Sequence, residues 1–125
     1  MARLKRFAGI YEIEFGDGVI RDYSTRMVKY TYDREYVKEF SGHILYIISN
    51  GEIRSFDTRF VLLKYDGQYV KDFYGRCLYI IDGKYIRDFQ SRMIIYEIDG
   101  FFTQNDLMAL FAVMFTKWVQ TMQRF

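Results

Sequence analysis

Apolar and polar residues alternate with a period of two along most of the chain, and short Asp/Asn/Gly clusters interrupt the alternation at regular intervals. That pattern predicts short β-strands joined by tight turns. The stretch over 82–100, DGKYIRDFQSRMIIYEIDG, closely repeats the one before it, and three looser copies lie upstream. The copies cover 19–32, 35–49, 52–65, 68–81 and 84–98, and residues 7–15 (FAGIYEIEF) read as a first strand lacking its partner half. The aromatic that closes each first strand recurs at Tyr23, Phe40, Phe56, Phe73 and Phe89, in steps of 17, 16, 17 and 16 residues. A period that short excludes ankyrin, TPR and propeller-blade units, and it fits one β-hairpin per copy.

The columns of this repeat predict which face is buried. Ile20, Val37, Ile53, Val70 and Ile86 form an apolar, β-branched column. In the returning strands, Val28, Leu45, Val61, Leu78 and Ile94 form a second column. Tyr30, Ile47, Leu63, Ile80 and Tyr96, two residues further on, form a third on the same face. The mixed column between them, Lys29, Tyr46, Leu62, Tyr79 and Ile95, is expected to face outward.

Turns between copies fall at Asp17-Gly18, Asp33-Arg34, Asn50-Gly51, Asp66-Gly67, Asp82-Gly83 and Asp99-Gly100. Asp-Gly and Asn-Gly favour hairpins because both residues tolerate positive φ. Within copies the turn follows the aromatic. A three-residue loop there would set Asp22 opposite Arg26, but it places Thr25 and Thr58 in the left-handed region that β-branched residues avoid. A two-residue loop is the alternative.

Consecutive hairpins make an antiparallel meander of about 11–12 strands, from five and a half repeats. An open sheet of that size exposes edges and tends to curl, so closure into a barrel is expected. A barrel so wide needs a filler. In place of a sixth copy the chain continues FFTQNDLMALFAVMFTKWVQTMQRF, in which every residue over 107–115 is apolar. A helix apolar on all sides is a buried helix, and Thr103 or Asn105 can cap it. The expected fold is thus all-β plus one helix: hairpin repeats over 7–98 closed around a C-terminal helix over 103–123, in a single domain over 1–125.

Composition adds limits. The chain has 24 Tyr and Phe, no Pro, one Cys and one His among 125 residues. One Cys forms no internal disulfide, so a reducing, cytoplasmic setting is expected. No signal-peptide pattern appears at the N-terminus, and the longest apolar run is too short for a membrane span. A net charge of +2 argues against a dedicated nucleic-acid binder. One His and one Cys exclude the usual zinc sites, and no phosphate loop or nucleophile triad is present. No catalytic residue, cofactor or metal is therefore expected.

A meander of YIRDFQSRMIIYEIDG-type hairpins followed by LMALFAVMF resembles the tubby-like barrels: tubby C-terminal domains, LURP-one-related proteins and phospholipid scramblases. The resemblance implies a twelve-stranded barrel around a hydrophobic C-terminal helix. The units are also similar to bacterial β-flower hairpin repeats.

Two sets of residues are candidates for function. The basic column Arg21, Lys38, Arg54, Lys71 and Arg87 could bind an anionic membrane surface, or it could simply pair with the acids Asp22, Glu39, Asp72 and Asp88. The third copy departs most from the others, so Glu52, Ser55 and Asp57, taken with His43 of the second copy, form a candidate divergent-repeat site. A further column, Arg26, His43, Arg59, Arg76 and Arg92, is expected to close turns against the acid four residues earlier. The functional expectation is a non-enzymatic binding or scaffolding module with a protein partner, for which Tyr46, Tyr69, Tyr79 and Tyr85 are candidate contacts. Attachment to anionic lipid through the basic column is the alternative.

Overall fold

The structure is a computed structural model in which residues 1–116 are described. Twelve strands close into one antiparallel barrel: β1 (Ala2–Arg6), β2 (Tyr11–Gly16), β3 (Val19–Asp22), β4 (Val28–Tyr32), β5 (Tyr36–Glu39), β6 (Ile44–Ser49), β7 (Glu52–Ser55), β8 (Val61–Tyr65), β9 (Tyr69–Asp72), β10 (Cys77–Asp82), β11 (Tyr85–Asp88) and β12 (Ile94–Asp99). Each strand pairs with its sequence neighbours, and β1 pairs with β12 to complete the circle, with Leu4 opposite Ile98. The helix α1 (Gln104–Phe115) lies inside.

Closure corrects one expectation. Residues 7–15 are not a lone strand: 7–10 is a loop, and β1 supplies the partner half of β2. The chain therefore has six complete hairpins. The signal was present upstream, since Phe7 precedes Tyr23 by one more 16-residue step and Leu4-Lys5 extends the columns of Val37-Lys38 and Val70-Lys71.

The alternating 16- and 17-residue steps have a structural cause. In β3/β4, β7/β8 and β11/β12 the loop holds four residues, with Arg26, Arg59 and Arg92 left-handed at φ 63°, 66° and 64°. In β5/β6 and β9/β10 it holds three, with Gly42 and Gly75 left-handed instead. The three-residue loop thus holds in β5/β6 and β9/β10, and in β1/β2, where Gly9 N–H donates to the Arg6 carbonyl in the same way; the threonines escape the left-handed position because the longer loop passes it to the next residue. The true repeat is a pair of hairpins, 33 residues long. Positions such as Phe7/Phe40/Phe73 and Ile20/Ile53/Ile86 are equivalent under a pseudo-threefold axis. Hairpins β11/β12 and β1/β2 together form the third four-stranded block.

The two loop lengths also change which residues face inward. Each hairpin carries one register shift, immediately after Leu4, Ile20, Val37, Ile53, Val70 or Ile86. The pairings between hairpins are regular. A bulge bends its strand and increases twist, and six of them evenly spaced help to curl the wall. Ile20, Val37, Ile53, Val70 and Ile86 are all buried, as expected, and Leu4 joins them. Tyr30, Leu63 and Tyr96 pair with inward residues, also as expected. In the glycine hairpins the phase is reversed: Tyr46 and Tyr79 pair with inward Val37 and Val70, whereas Ile47 and Ile80 pair with Arg54 and Arg87. Val28, Val61 and Ile94, past the bulge, pair with Arg21, Arg54 and Arg87. Counting from the aromatic aligned residues that one extra loop residue had moved to opposite faces.

The helix enters at the end that carries the turns between hairpins. Thr103 and Asp106 form a capping box, with Asp106 N–H donating to Thr103 Oγ1 at 3.1 Å and Thr103 N–H donating to Asp106 Oδ2 at 2.9 Å. The Tyr32 hydroxyl donates to the other Asp106 oxygen at 2.6 Å, and Asn105 Nδ2 donates to the Asp33 carbonyl. These contacts tie the helix start to one turn of the wall. Leu107, Met108, Leu110, Phe111 and Phe115 are buried against the wall, Phe115 stacking on Tyr79 at 4.3 Å and Phe111 meeting Tyr65 edge-on at 5.4 Å. Those five side chains contribute about 8–15 kcal/mol of gross transfer free energy at about 1.5–3 each. At the far end Thr116 is buried, donating to the Ala112 carbonyl and sharing a 2.9 Å hydrogen bond with the Tyr46 hydroxyl. The expected remainder of the helix, to 123, lies outside the described residues, as do Trp118 and the polar positions beyond it.

Three substitutions test this architecture. Leu110 is fully buried, so Leu110→Asp strands a charge in the lumen and abolishes the cooperative melt followed by circular dichroism; a variant melting like the parent would place the helix outside the wall. A methyl group on Gly51 would lie 2.6 Å from the Tyr65 carbonyl oxygen at φ +74°, whereas one on Gly42 would meet nothing. Gly42→Ala therefore costs only the left-handed term of about 1–2 kcal/mol, and Gly51→Ala costs measurably more in urea unfolding.

Candidate functional site: the loop rim

An up-and-down barrel sends every second connection to the same end, so the six loops within hairpins form one rim. They span 7–10, 23–27, 40–43, 56–60, 73–76 and 89–93. All six project large apolar side chains into solvent: Phe7 and Ile10, Met27, Phe40, Phe60, Phe73 and Tyr74, and Met93. Ile10 is 84% exposed, Tyr74 80% and Phe40 72%, far from the partly covered state of a core residue at its margin. Single exposed apolar residues are ordinary, but a closed ring of them is a candidate contact surface.

The local sequence builds this rim three times from one motif: DYSTRM, SFDTRF and DFQSRM over 22–27, 55–60 and 88–93. In the first, the Asp22 carboxylate accepts from Thr25 N–H at 2.8 Å and from the Ser24 and Thr25 hydroxyls, and Thr25 Oγ1 accepts from Met27 N–H. Asp88 and Ser91 repeat the scheme, and Ser55 and Thr58 do so more loosely. With the short side chains bonded to the turn backbone, the residues left to point outward are an arginine and a methionine or phenylalanine. Arg26, Arg59 and Arg92 lie over the rings of Tyr23, Phe56 and Phe89, at 4.3, 4.5 and 4.7 Å from the centroids. Each such contact is worth about 0.5–1 kcal/mol at an exposed site, which partly offsets the left-handed backbone.

Of the expected turn-closing pairs only Arg76–Asp72 forms, at 3.0 Å. Arg26 reaches Glu14 instead, at 3.3 Å. His43 is exposed on the rim.

The basic column lies on the outer wall, where β1 adds Lys5 as a sixth member. Its partners are not the acids flanking it along the strand, which serve the loops, but carboxylates elsewhere on the wall and its turns. Arg21 faces Glu14 at 3.7 Å, Arg54 Glu52 at 2.7 Å, Lys71 Asp66 at 3.5 Å, Arg87 Asp82 at 3.1 Å and Lys5 Glu97 at 3.1 Å. Lys38 has no ion pair among the described residues. The divergent-repeat set is split: His43, Ser55 and Asp57 lie toward the rim, while Glu52 opens β7 at the opposite end. Of the candidate tyrosine contacts, Tyr46 and Tyr79 are inside the barrel, because of the reversed phase in their hairpins. Tyr69 and Tyr85 remain partly exposed on the outside.

The opposite end is acidic, with Asp17, Asp33, Asp66 and Asp82 on its turns. A cleft of about 360 Å³ lies there beside the helix start, lined in part by Tyr32, Arg34 and Phe101. Among the described residues no three His, Cys, Asp or Glu side chains are grouped to hold a metal ion, and no helix is long and apolar enough to cross a membrane. No family model, curated protein or solved structure matches the chain.

Backbone N–H donors from Thr25 and Ser91 hold the Asp22 and Asp88 carboxyls below their ordinary pKa of 3.8. A depressed folded-state pKa contributes stability that is present above about pH 4 and lost as the pH falls through the lowered value. Replacing both residues with alanine therefore lowers the melting temperature near neutrality and makes its fall below pH 4 shallower. A double variant with an unchanged acid limb would show that these caps carry none of the pH dependence.

Proposed function

We propose that this chain is a non-enzymatic binding module that engages its partner end-on, through the ring of loop tips. The observation that carries this reading is the projection of large apolar side chains from all six loops, with arginines between them, on a barrel whose own core is already filled. A surface of that kind is costly to leave in water and serves no packing role among the described residues. The flank is a weaker candidate for contact, because most of its cations already face carboxylates, and exposed pairs of that sort are worth about 0–1 kcal/mol.

The shared plan of twelve strands around a C-terminal helix supports a proposed kinship with the tubby-like barrels. The short hairpin units keep the β-flower type as the alternative. A reducing, cytoplasmic setting is proposed from the lone, half-buried Cys77.

The experiment is capture from native extract, membranes included, by the parent and by two variants. Ile10→Ser/Phe40→Ser/Met93→Ser alters exposed tips only and is expected to lose what the parent retains. Lys38→Gln/Arg54→Gln alters the flank and is expected to keep it. Capture lost by the flank variant and kept by the tip variant overturns the reading.

A further inference from the structure

We infer that the partner of the loop rim is a second copy of this chain, docked rim to rim about a twofold axis perpendicular to the barrel axis. The inference rests on the end-on reading above and adds the identity of the partner.

Symmetry is the first argument. The rim repeats one pattern three times around a closed ring, because the wall is three copies of a 33-residue unit. An unrelated protein has no reason to offer three equivalent sites to such a ring. Another copy of the chain offers them by construction, and a twofold contact lets one patch serve on both sides.

The second argument is shape. The longer loops, which hold Arg26, Arg59 and Arg92, alternate around the rim with the shorter ones at 7–10, 40–43 and 73–76. The end face is therefore notched. A second rim turned to face the first, and offset by one loop, seats each longer loop over a shorter one.

Chemistry follows the same alternation. Arg26, Arg59 and Arg92 each lay one face of the planar guanidinium over a ring of their own loop, and all three residues are exposed. The shorter loops present Phe7, Phe40, Phe73 and Tyr74, large and exposed. In the offset arrangement the second face of each arginine meets an aromatic side chain of the facing copy. Met27, Phe60 and Met93, next to those arginines in sequence, are covered by the same contact.

Net charge does not oppose the match. Asp22, Asp72 and Asp88 accompany Arg26, Arg76 and Arg92 in their loops, and Asp57 accompanies Arg59. At the adjoining strand ends, Glu12 and Glu39 are balanced by Arg6 and Lys29. A rim with as many acids as bases can face its own copy without net repulsion. Its size is also sufficient. Twelve tilted strands about 4.8 Å apart give an end face of roughly 600–900 Å². A stable interface buries about 800 Å² on each partner.

The test is sedimentation velocity of the full chain over a wide range of concentration. The parent is expected to pass from monomer to dimer and to stop there. Ile10→Ser/Phe40→Ser/Met93→Ser is expected to stay monomeric at every concentration. Arg59→Gln/Arg92→Gln removes two of the three arginines of the longer loops and is expected to weaken the dimer by at least about tenfold. Lys38→Gln/Arg54→Gln is expected to dimerise like the parent, and matching circular dichroism spectra show that all variants are folded.

A parent that is monomeric throughout overturns the second-copy assignment. The end-on reading still stands if the tip variant alone then loses another protein, or membrane, captured from extract. A parent dimer that survives in the tip variant places the contact elsewhere and overturns the assignment, as does assembly that continues past the dimer. A dimer lost with the flank variant and kept with the tip variant overturns both readings.

Discussion

A helix that is apolar on every side has nowhere to go in water, and the rest of this fold answers that constraint. Covering it from all directions takes a closed wall, and a wall of strands four to six residues long must also leave no open edge. Pairing β1 with β12 meets both needs at once, because it removes the last unpaired backbone row and seals the ring around Leu110 and Phe111. Barrel and helix therefore stabilise each other. The ring without the helix has an unfilled lumen, and the helix without the ring has no polar face to turn toward solvent.

The wall is built from a 33-residue repeat used three times, with its last copy divided between the two ends of the chain. Two loop classes alternate around the rim, one with a left-handed glycine or its neighbourhood, the other with a left-handed arginine over an aromatic ring. The helix breaks the symmetry. It can be tied to only one turn at its start, and Asp106 and Asn105 select the turn following Tyr32.

Division of labour between the two ends follows from the same plan. One end admits the helix and carries acidic turns whose carboxylates, as at Asp33 and Asp66, bond to their own backbone. The other end has its lumen lined by Phe115, Thr116 and the inward tyrosines, and its loop tips have no packing duty among the described residues. Their tips are nonetheless large and apolar in all three blocks. The end-on contact proposed above rests on these tips.

The periodic columns, the Asp-Gly turns and the apolar run over 107–115 were enough to establish hairpins, a closed barrel and a filling helix, because each is a local property with a short repeat. The inner aliphatic column was also legible, being uniform in all copies. What could not be read locally was phase. A loop longer by one residue and a bulge in each hairpin decide whether Tyr46 or Ile47 faces the lumen, and both depend on pairing across strands. The role of β1 was hidden for a similar reason: Leu4 and Lys5 match the repeat, but only closure against β12 gives that match a purpose. The rim was hidden most deeply, since Phe40 and Met93 look like any other apolar positions until the barrel brings all six loops to one end. Sequence determined which residues seek cover; tertiary structure decided which of them find it, because burial is a property of the closed ring and not of any one hairpin.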